Sequence, residues 1–425
     1  MAAAHPSVSM AAKDRVCIVN RIKQLIRSRH INVSNPNQDY RPWLELVDER
    51  RDTLVGSASD QEFERGVKEI VSRLGSSHTA FFHHRHDHVP APYSITATMR
   101  AVDTIRGKRW MFLDVIEDGA ASRAGIKPGE FLLAIDSSPF IPPRPANFRI
   151  GGKHELEIEG RGGAIRQVRV EIPDKRAKHR PPMVEPRSLS HGMIRGDLGL
   201  IKISTFPGVV GLEFARNLDL AIADLKSRGI ERLIIDLRGN VGGGLGSLRL
   251  MSYLCPNQLE IGYSLTRRRL RNGYRKQDLI RIERIPANKP ELCVMAVRFA
   301  LLHRDRSLVL VTEGLGGQPY HGRVVVIVNE YTHSAAEMVA SFAKERRLAT
   351  IVGTKTAGEV LGGANFNLCH GYRLRIPTAG WFTWQGDCIE GKGVEPDVGM
   401  DNSAELLAAG IDPQLDKAVA VVQNL

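Results

Sequence analysis

The sequence predicts an α/β protein in three parts: an N-terminal helical subdomain, an inserted β-rich module and an α/β core. Three observations predict it. Residues 14–75 carry apolar side chains at helical spacing. Residues 93–172 switch to short alternating runs divided by turn residues. From Leu198 onward, apolar strands alternate with helical patterns, as βαβ units of a largely parallel sheet do.

In the first part, Val16, Val19, Ile22, Leu25 and Ile26 define a helix over 14–30, and a second helical piece runs near 42–55. Ser59-Asp-Gln-Glu62 is a capping box. It opens a third helix with Phe63, Val67, Ile70 and Leu74 on one face, ending at Gly75. Ser76-Ser77-His78-Thr79 follows at once. Next come His83, His84, His86 and His88. Imidazole is a common metal ligand. Alternating histidines beside Arg85 and Pro90, with no cysteine nearby, read instead as a solvated loop, so no metal site is expected.

The second part places strands at Trp110 to Val115, Phe131 to Ile135, His154 to Ile158 and Arg166 to Ile172. A short helical piece, Ala120 to Ala124, precedes Gly125-Ile-Lys-Pro-Gly129. Pro173 to Arg187, rich in Lys, Arg and Pro, reads as a linker. In the core, strands are expected at Leu198 to Ile203, Arg232 to Leu237, Val324 to Val328 and Ala349 to Val352. Helices are expected from Leu212 to Leu225, up to Leu254, after Ser334 and over 413–424, with a strand- and turn-rich stretch at 363–398. The division is therefore 1–90, 91–172, a linker 173–188, and a core 189–425 with a basic insertion near 265–315.

Val324 to Val328 is a short β-prone apolar run suited to a strand buried on both faces. After the polar turn Asn329 to Thr332, Ser334-Ala-Ala-Glu337 opens a helix with Met338, Val339, Phe342 and Ala343 on one side. A serine there is exposed, beside helix N–H groups that lack intrahelical partners. Those donors and the positive helix end can hold a developing oxyanion. Taken alone, such a serine is an N-cap. The loop Gly239 to Gly246 also follows a strand and precedes a helix. It does not fit a dinucleotide cradle, because after Gly242 and Gly244 the third glycine position holds Ser247. Converging N–H groups in such a turn make it an oxyanion-hole candidate.

Composition narrows the class. The chain has 425 residues, 42% apolar and 25% charged, as ordinary globular proteins do. No apolar run approaches the roughly 20 residues of a membrane span. The N-terminus is small and polar and does not read as a signal peptide. Cys17, Cys255, Cys293, Cys369 and Cys388 are odd in number and without CxxC spacing, so neither a disulfide framework nor a zinc site is expected. A cytoplasmic location is expected on that ground. The net charge of +12 gathers in Arg267 to Arg284. Without a nucleic-acid fold motif, that segment reads as a solvated insertion, not a nucleic-acid site.

The motifs also carry a resemblance. Leu74-Gly-Ser-Ser-His-Thr79 comes first, and a β-module holds Ala120-Ala-Ser-Arg-Ala-Gly-Ile-Lys-Pro-Gly-Glu-Phe-Leu-Leu-Ala-Ile-Asp136. There follow Asp236-Leu-Arg-Gly-Asn-Val-Gly-Gly243, Asn329-Glu-Tyr-Thr-His-Ser334-Ala-Ala-Glu337, Val352-Gly-Thr-Lys-Thr-Ala-Gly358 and Gly393-Val-Glu-Pro-Asp397. In this order, from about residue 45 to 400, they resemble the serine peptidases that include the tail-specific (C-terminal processing) proteases and the tricorn core protease. The resemblance implies a ClpP/crotonase-like α/β core, and the β-module looks like a PDZ domain, which binds extended C-terminal segments by strand addition.

Tail-specific proteases pair their serine with a lysine just after the T-x-G turn, but that position is Glu359 here. The tricorn-like version uses a Ser-His pair from the N-terminal segment and a glutamate near the C-terminus. By resemblance, Ser334 is the nucleophile, His78 the general base, and Ser77 with Glu390 the orienting pair. The N–H groups of Ala335, Gly242 and Gly243 form the oxyanion hole. Lys355 and Lys202 are rival bases, and His333 is expected to point away from Ser334. His78 as a helix C-cap, and Glu390 as a surface carboxylate, are the bland alternatives. Glu337 is expected to stabilise the positive end of its helix. The chemistry needs this set. A serine hydroxyl is a poor nucleophile without a base, and a histidine needs a third group to fix its tautomer. No cofactor is implied. The expected activity is hydrolysis of peptides or protein C-terminal tails through an acyl-enzyme, with homo-oligomerisation implied by the tricorn resemblance. A catalytically inactive peptide- or ligand-binding protein on the same scaffold is the alternative.

Overall fold

A computed structural model describes residues 10–85, 88–174, 187–302, 305 and 307–425. The N-terminal helices are Ala12–Arg29, Arg41–Glu49, Arg51–Val55 and Asp60–Ser72. The expected helix 42–55 is thus broken at Arg50. Ser59 accepts from Glu62 N–H at 3.1 Å, as its capping position requires. Phe63, Val67 and Ile70 turn inward with Ile18, Val19, Ile22 and Ile26. This apolar face does not close on itself. It also takes in Phe81, Leu374 and Ile376 from a sheet that lies against it.

That sheet joins the two ends of the chain. Strand Ala80–His83 pairs antiparallel with Tyr372–Thr383, which pairs in turn with Glu260–Thr266. Leu308–Val311 and Ile280–Ile282 extend it, and Gly362–Asn367 lies beside Tyr372–Thr383. Most of the basic segment is exposed, as expected of a solvated insertion, while Ile280–Ile282 adds a strand to the sheet and several arginines find fixed partners. Arg267 stacks over the Tyr40 ring at 5.1 Å, Arg271 donates to Pro36 O, and Arg281 pairs with Glu260 and Glu283. Long cationic side chains cover apolar surface with their stems and use their heads on fixed partners. Cys17 of the first helix and Cys369, in the turn just before strand Tyr372–Thr383, form a disulfide, although the cysteine spacing gave no sign of a disulfide framework.

The β-module is an antiparallel sheet in the order Ala97–Thr104, Gly107–Val115, Phe131–Ile135, Lys153–Glu159, Ile165–Glu171. Its inward residues, among them Phe112, Leu132, Phe148, Ile158 and Val170, form a core of their own with Ala120 and Ala121 of the short helix Ala120–Arg123. Most of the expected linker, 175–186, lies outside the described residues.

The second large sheet runs Leu189–Arg195, Leu198–Ile203, Arg232–Asp236, Val324–Val328, Thr350–Gly353, Val398–Gly399. Its first pair is antiparallel and the rest are parallel. Val324, Val326 and Val328 face helices Leu212–Ser227, Gly246–Tyr253 and Ala335–Glu345. Val325 and Ile327 face the final helix, Pro413–Val422. Helices on both faces are why this strand reads as an unbroken apolar run. Among the described residues, no helix is long and apolar enough to cross a membrane.

Candidate active site

Strands Arg232–Asp236 and Val324–Val328 run parallel, so the loops leaving their C-terminal ends meet at one edge of the sheet. Leu237 N–H donates to Ile327 O, and Thr332 Oγ1 donates to Leu237 O at 2.9 Å. Arg238 is buried and paired with Asp236 and with Asp412, the N-cap of the final helix. Asn240 is wholly buried, donates to Ile203 O and accepts His333 N–H on its carbonyl at 2.8 Å.

Ser334 stands where the strand-to-helix turn ends, with φ 55° and ψ −117°. A non-glycine residue in that region carries strain of about 1–3 kcal/mol and persists only where neighbours fix it. Sharp strand–turn–helix junctions of this kind present a serine hydroxyl at the top of a sheet. Glu337 is one of the neighbours that fix it. Its carboxylate accepts Ser334 N–H at 3.0 Å, Glu359 N–H at 2.9 Å, Gly358 N–H at 2.6 Å and the Thr356 hydroxyl at 2.7 Å. Glu337 thus does more than answer the helix dipole, because it ties the serine to the loop 354–359. Burial pushes its carboxyl up, against the pull of these four donors.

The glycine loop approaches Ser334 closely. A Cβ on Gly242 would lie 2.6 Å from Ser334 Cβ and 3.1 Å from Ala335 N. Gly242 N–H, expected to face an oxyanion, is instead donated to Asn240 Oδ1 at 2.8 Å. Gly243 is held by its neighbours, with Phe206 N–H donating to Gly242 O and Gly244 N–H to Phe206 O. Among the described residues, the N–H groups of Gly243 and Ala335 make no hydrogen bond. Of the three expected donors, those two are open.

His78 also has a positive φ, 56°. Its Nδ1 lies 3.0 Å from Ser77 Oγ. Glu390 accepts Ser77 N–H at 3.2 Å and Val360 N–H at 2.8 Å, so it holds the backbone of Ser77 and not its hydroxyl. The imidazole lies within electrostatic reach of Glu359 and His333, the residue before Ser334. Its hydrogen bond runs to Ser77 and none reaches Ser334. Burial, helped by Arg375 and opposed by Glu359, lowers its pKa to about 4, so the ring is neutral at neutral pH.

The rivals go elsewhere. Lys355 pairs with Glu395 at 2.8 Å. Lys202 lines a cavity of about 420 Å³ together with Asp114, Asp236 and Asp412. His333 Nδ1 meets Glu359 at 3.3 Å, and that contact holds the Glu359 carboxyl below its usual range. His83 and His84 bond the carbonyls of His370 and Gly371, while His86 lies outside the described residues. No metal-binding cluster of His, Cys, Asp and Glu occurs among the described residues.

Residues 197–400 match the model of peptidase family S41. A tricorn protease homologue of Streptomyces coelicolor is 26% identical over 403 residues, covering 90% of this chain and 30% of that protein. The tricorn protease of Thermoplasma acidophilum is 28% identical over 283 residues, covering 65% of this chain and 22% of that one. The chain therefore spans under a third of these relatives' length. The photosystem II D1 C-terminal processing protease superposes with a TM-score of 0.54 at 15% identity, covering 96% of this chain and 97% of that one. At that identity the likeness is one of fold. The resemblance to tail-specific and tricorn proteases, and the α/β protease-like core, are borne out.

Proposed function

We propose that this chain, with a core that matches peptidase family S41, is a serine-type peptidase in which Ser334 is acylated. The observation that carries this reading is the strained backbone of Ser334 beside two unpaired N–H groups, with a neutral imidazole in the same neighbourhood. In the cycle, His78 takes the Ser334 proton as Oγ attacks the peptide carbonyl. The N–H groups of Gly243 and Ala335 receive the oxyanion, and Gly242 lets them come close. His78 then returns the proton to the leaving amine, and water, activated by the same ring, releases the acid. Ser77 fixes the tautomer through Nδ1, and Glu390 holds Ser77. The His78–Ser334 contact closes on binding substrate, as catalytic hydrogen bonds in empty sites often do.

A fluorophosphonate probe tests the reading. Labelling at Ser334, lost in Ser334→Ala and in His78→Ala, is expected; peptide hydrolysis unchanged in Ser334→Ala would overturn it. The module over 91–172 is proposed to be PDZ-like and to take extended C-terminal segments of substrates, which binding of free-carboxylate against amidated peptides checks. Self-association is proposed and is read by mass in solution. A cytoplasmic location is proposed from the scattered cysteines, and a Cys17–Cys369 bridge intact in cells would count against it.

A further inference from the structure

Asp114 belongs to no catalytic motif and sits on strand Gly107–Val115 of the β-module. It is buried where the module meets the core, 8% exposed. Its Oδ2 accepts from the Thr98 hydroxyl at 2.5 Å and from Asn329 Nδ2 at 2.9 Å. Asn329, wholly buried, is the first residue of the turn that leads to Ser334. Its Oδ1 accepts Gly239 N–H and Tyr331 N–H, both at 3.1 Å. Gly239 opens the glycine loop and packs against the carboxylate: a Cβ there would lie 3.2 Å from Asp114 Cβ. One side-chain amide therefore joins the glycine loop, the nucleophile turn and the module.

The orientation of that amide is forced by its partners. Two backbone N–H groups can only donate, and an ionised carboxylate can only accept. Without the carboxylate, nothing at this end fixes the NH2 group. Were the amide to rotate, it would face two donors with a donor, and the loop and turn would lose their common anchor. Nearby contacts hold the same junction. Arg100 pairs with Glu330 and Asp401, and the Tyr331 hydroxyl donates to Met99 O.

We propose that Asp114 is a positioning residue: by orienting the Asn329 amide, it sets the Gly239–Gly243 loop against the Ser334 turn, so that seating the β-module and completing the oxyanion hole are one event. This inference rests on the peptidase reading above.

Three variants test it: Asp114→Ala, Asn329→Asp, and the exchange Asp114→Asn with Asn329→Asp. Asn329→Asp sets two carboxylates face to face. The exchange restores a donor opposite an acceptor, because an aspartate at 329 still accepts both N–H groups while the asparagine at 114 donates. Both single variants are expected to lower kcat on a short peptide by about 10- to 100-fold with KM little changed, as loss of oxyanion alignment does. The exchange is expected to return kcat to within about threefold of the parent. Hydrogen exchange at the Gly239 and Tyr331 amides, read independently of activity, is expected to accelerate in the singles and to recover in the exchange. An exchange variant that folds yet stays as slow as Asn329→Asp overturns the inference, as does an unchanged kcat in Asp114→Ala. Should Asp114→Ala not fold, the isosteric comparison of Asn329→Asp with the exchange decides alone. A parent protein that neither hydrolyses peptides nor labels at Ser334 refutes the peptidase reading instead, and the amide-exchange pattern then judges the anchoring by itself.

Discussion

Gly242 and Ser334 are in such close approach that a single methyl group on the glycine would lie 2.6 Å from the serine Cβ. Gly242 also has a φ of 82°, which side chains rarely adopt. Gly242→Ala is expected to push the loop away from Ala335 N and lower kcat by about 10²-fold, the scale of losing one oxyanion donor. KM for a short peptide should change little. Steady-state kinetics separate the two, and an unchanged kcat would mean the loop does not serve the oxyanion.

Removing Ser334 or His78 should each abolish turnover. In a group that acts as a unit, one deletion costs about as much as two, so Ser334→Ala, His78→Ala and the double variant should all fall by at least about 10³-fold and lie close together. Additive losses in the double variant would count against a shared proton transfer.

The low pKa of His78 gives a signed pH prediction. Activity that needs the neutral ring should hold down to weakly acidic pH and fall on an acid limb near about 4. Arg375 lowers this pKa and Glu359 raises it. Arg375→Ala should therefore move the limb upward and Glu359→Gln downward. Stability is linked to the same ring. The unfolded imidazole takes a proton near 6.5 and the folded one only near about 4, so the contribution present above 6.5 is lost as pH falls between those values. The pH profiles of kcat/KM and of the unfolding midpoint check both signs.

Glu337→Gln should cost stability as well as activity. The amide has one acceptor oxygen for the donors that the carboxylate shares between two, so two donors lose an acceptor. Buried donors left unpaired cost about 1–3 kcal/mol each, which predicts a loss of about 2–6 kcal/mol in denaturant unfolding. A change below about 1 kcal/mol, the scale of a surface substitution, would mean the loop 354–359 is held otherwise.

Local pattern made much of this legible. Val324 to Val328 announces itself because both of its faces are covered, and Ser59 to Glu62 because a cap is a short-range bond. Ser334 and His78 became legible only through the order of motifs along the chain. What escaped is polar and distant in sequence. Asn329 reaches Asp114 across 215 residues and Gly239 across 90. Cys17 meets Cys369 across 352. Such pairs leave no periodicity. The contacts of Arg267 escape for a related reason: charge count says nothing about whether an arginine finds an aromatic face such as Tyr40. The free N–H of Gly243, against the engaged one of Gly242, depends on a single bond to Asn240.

The pairing of Ala80–His83 with Tyr372–Thr383 has a temporal consequence. During synthesis the base is made early and the nucleophile late, yet the sheet beside His78 stays open until strand Tyr372–Thr383 emerges. A nascent chain is thus expected to be inert towards its neighbours on the ribosome. A polypeptide stopped at residue 370 would hold both groups, and its failure to react with fluorophosphonate would be the mark of that built-in delay.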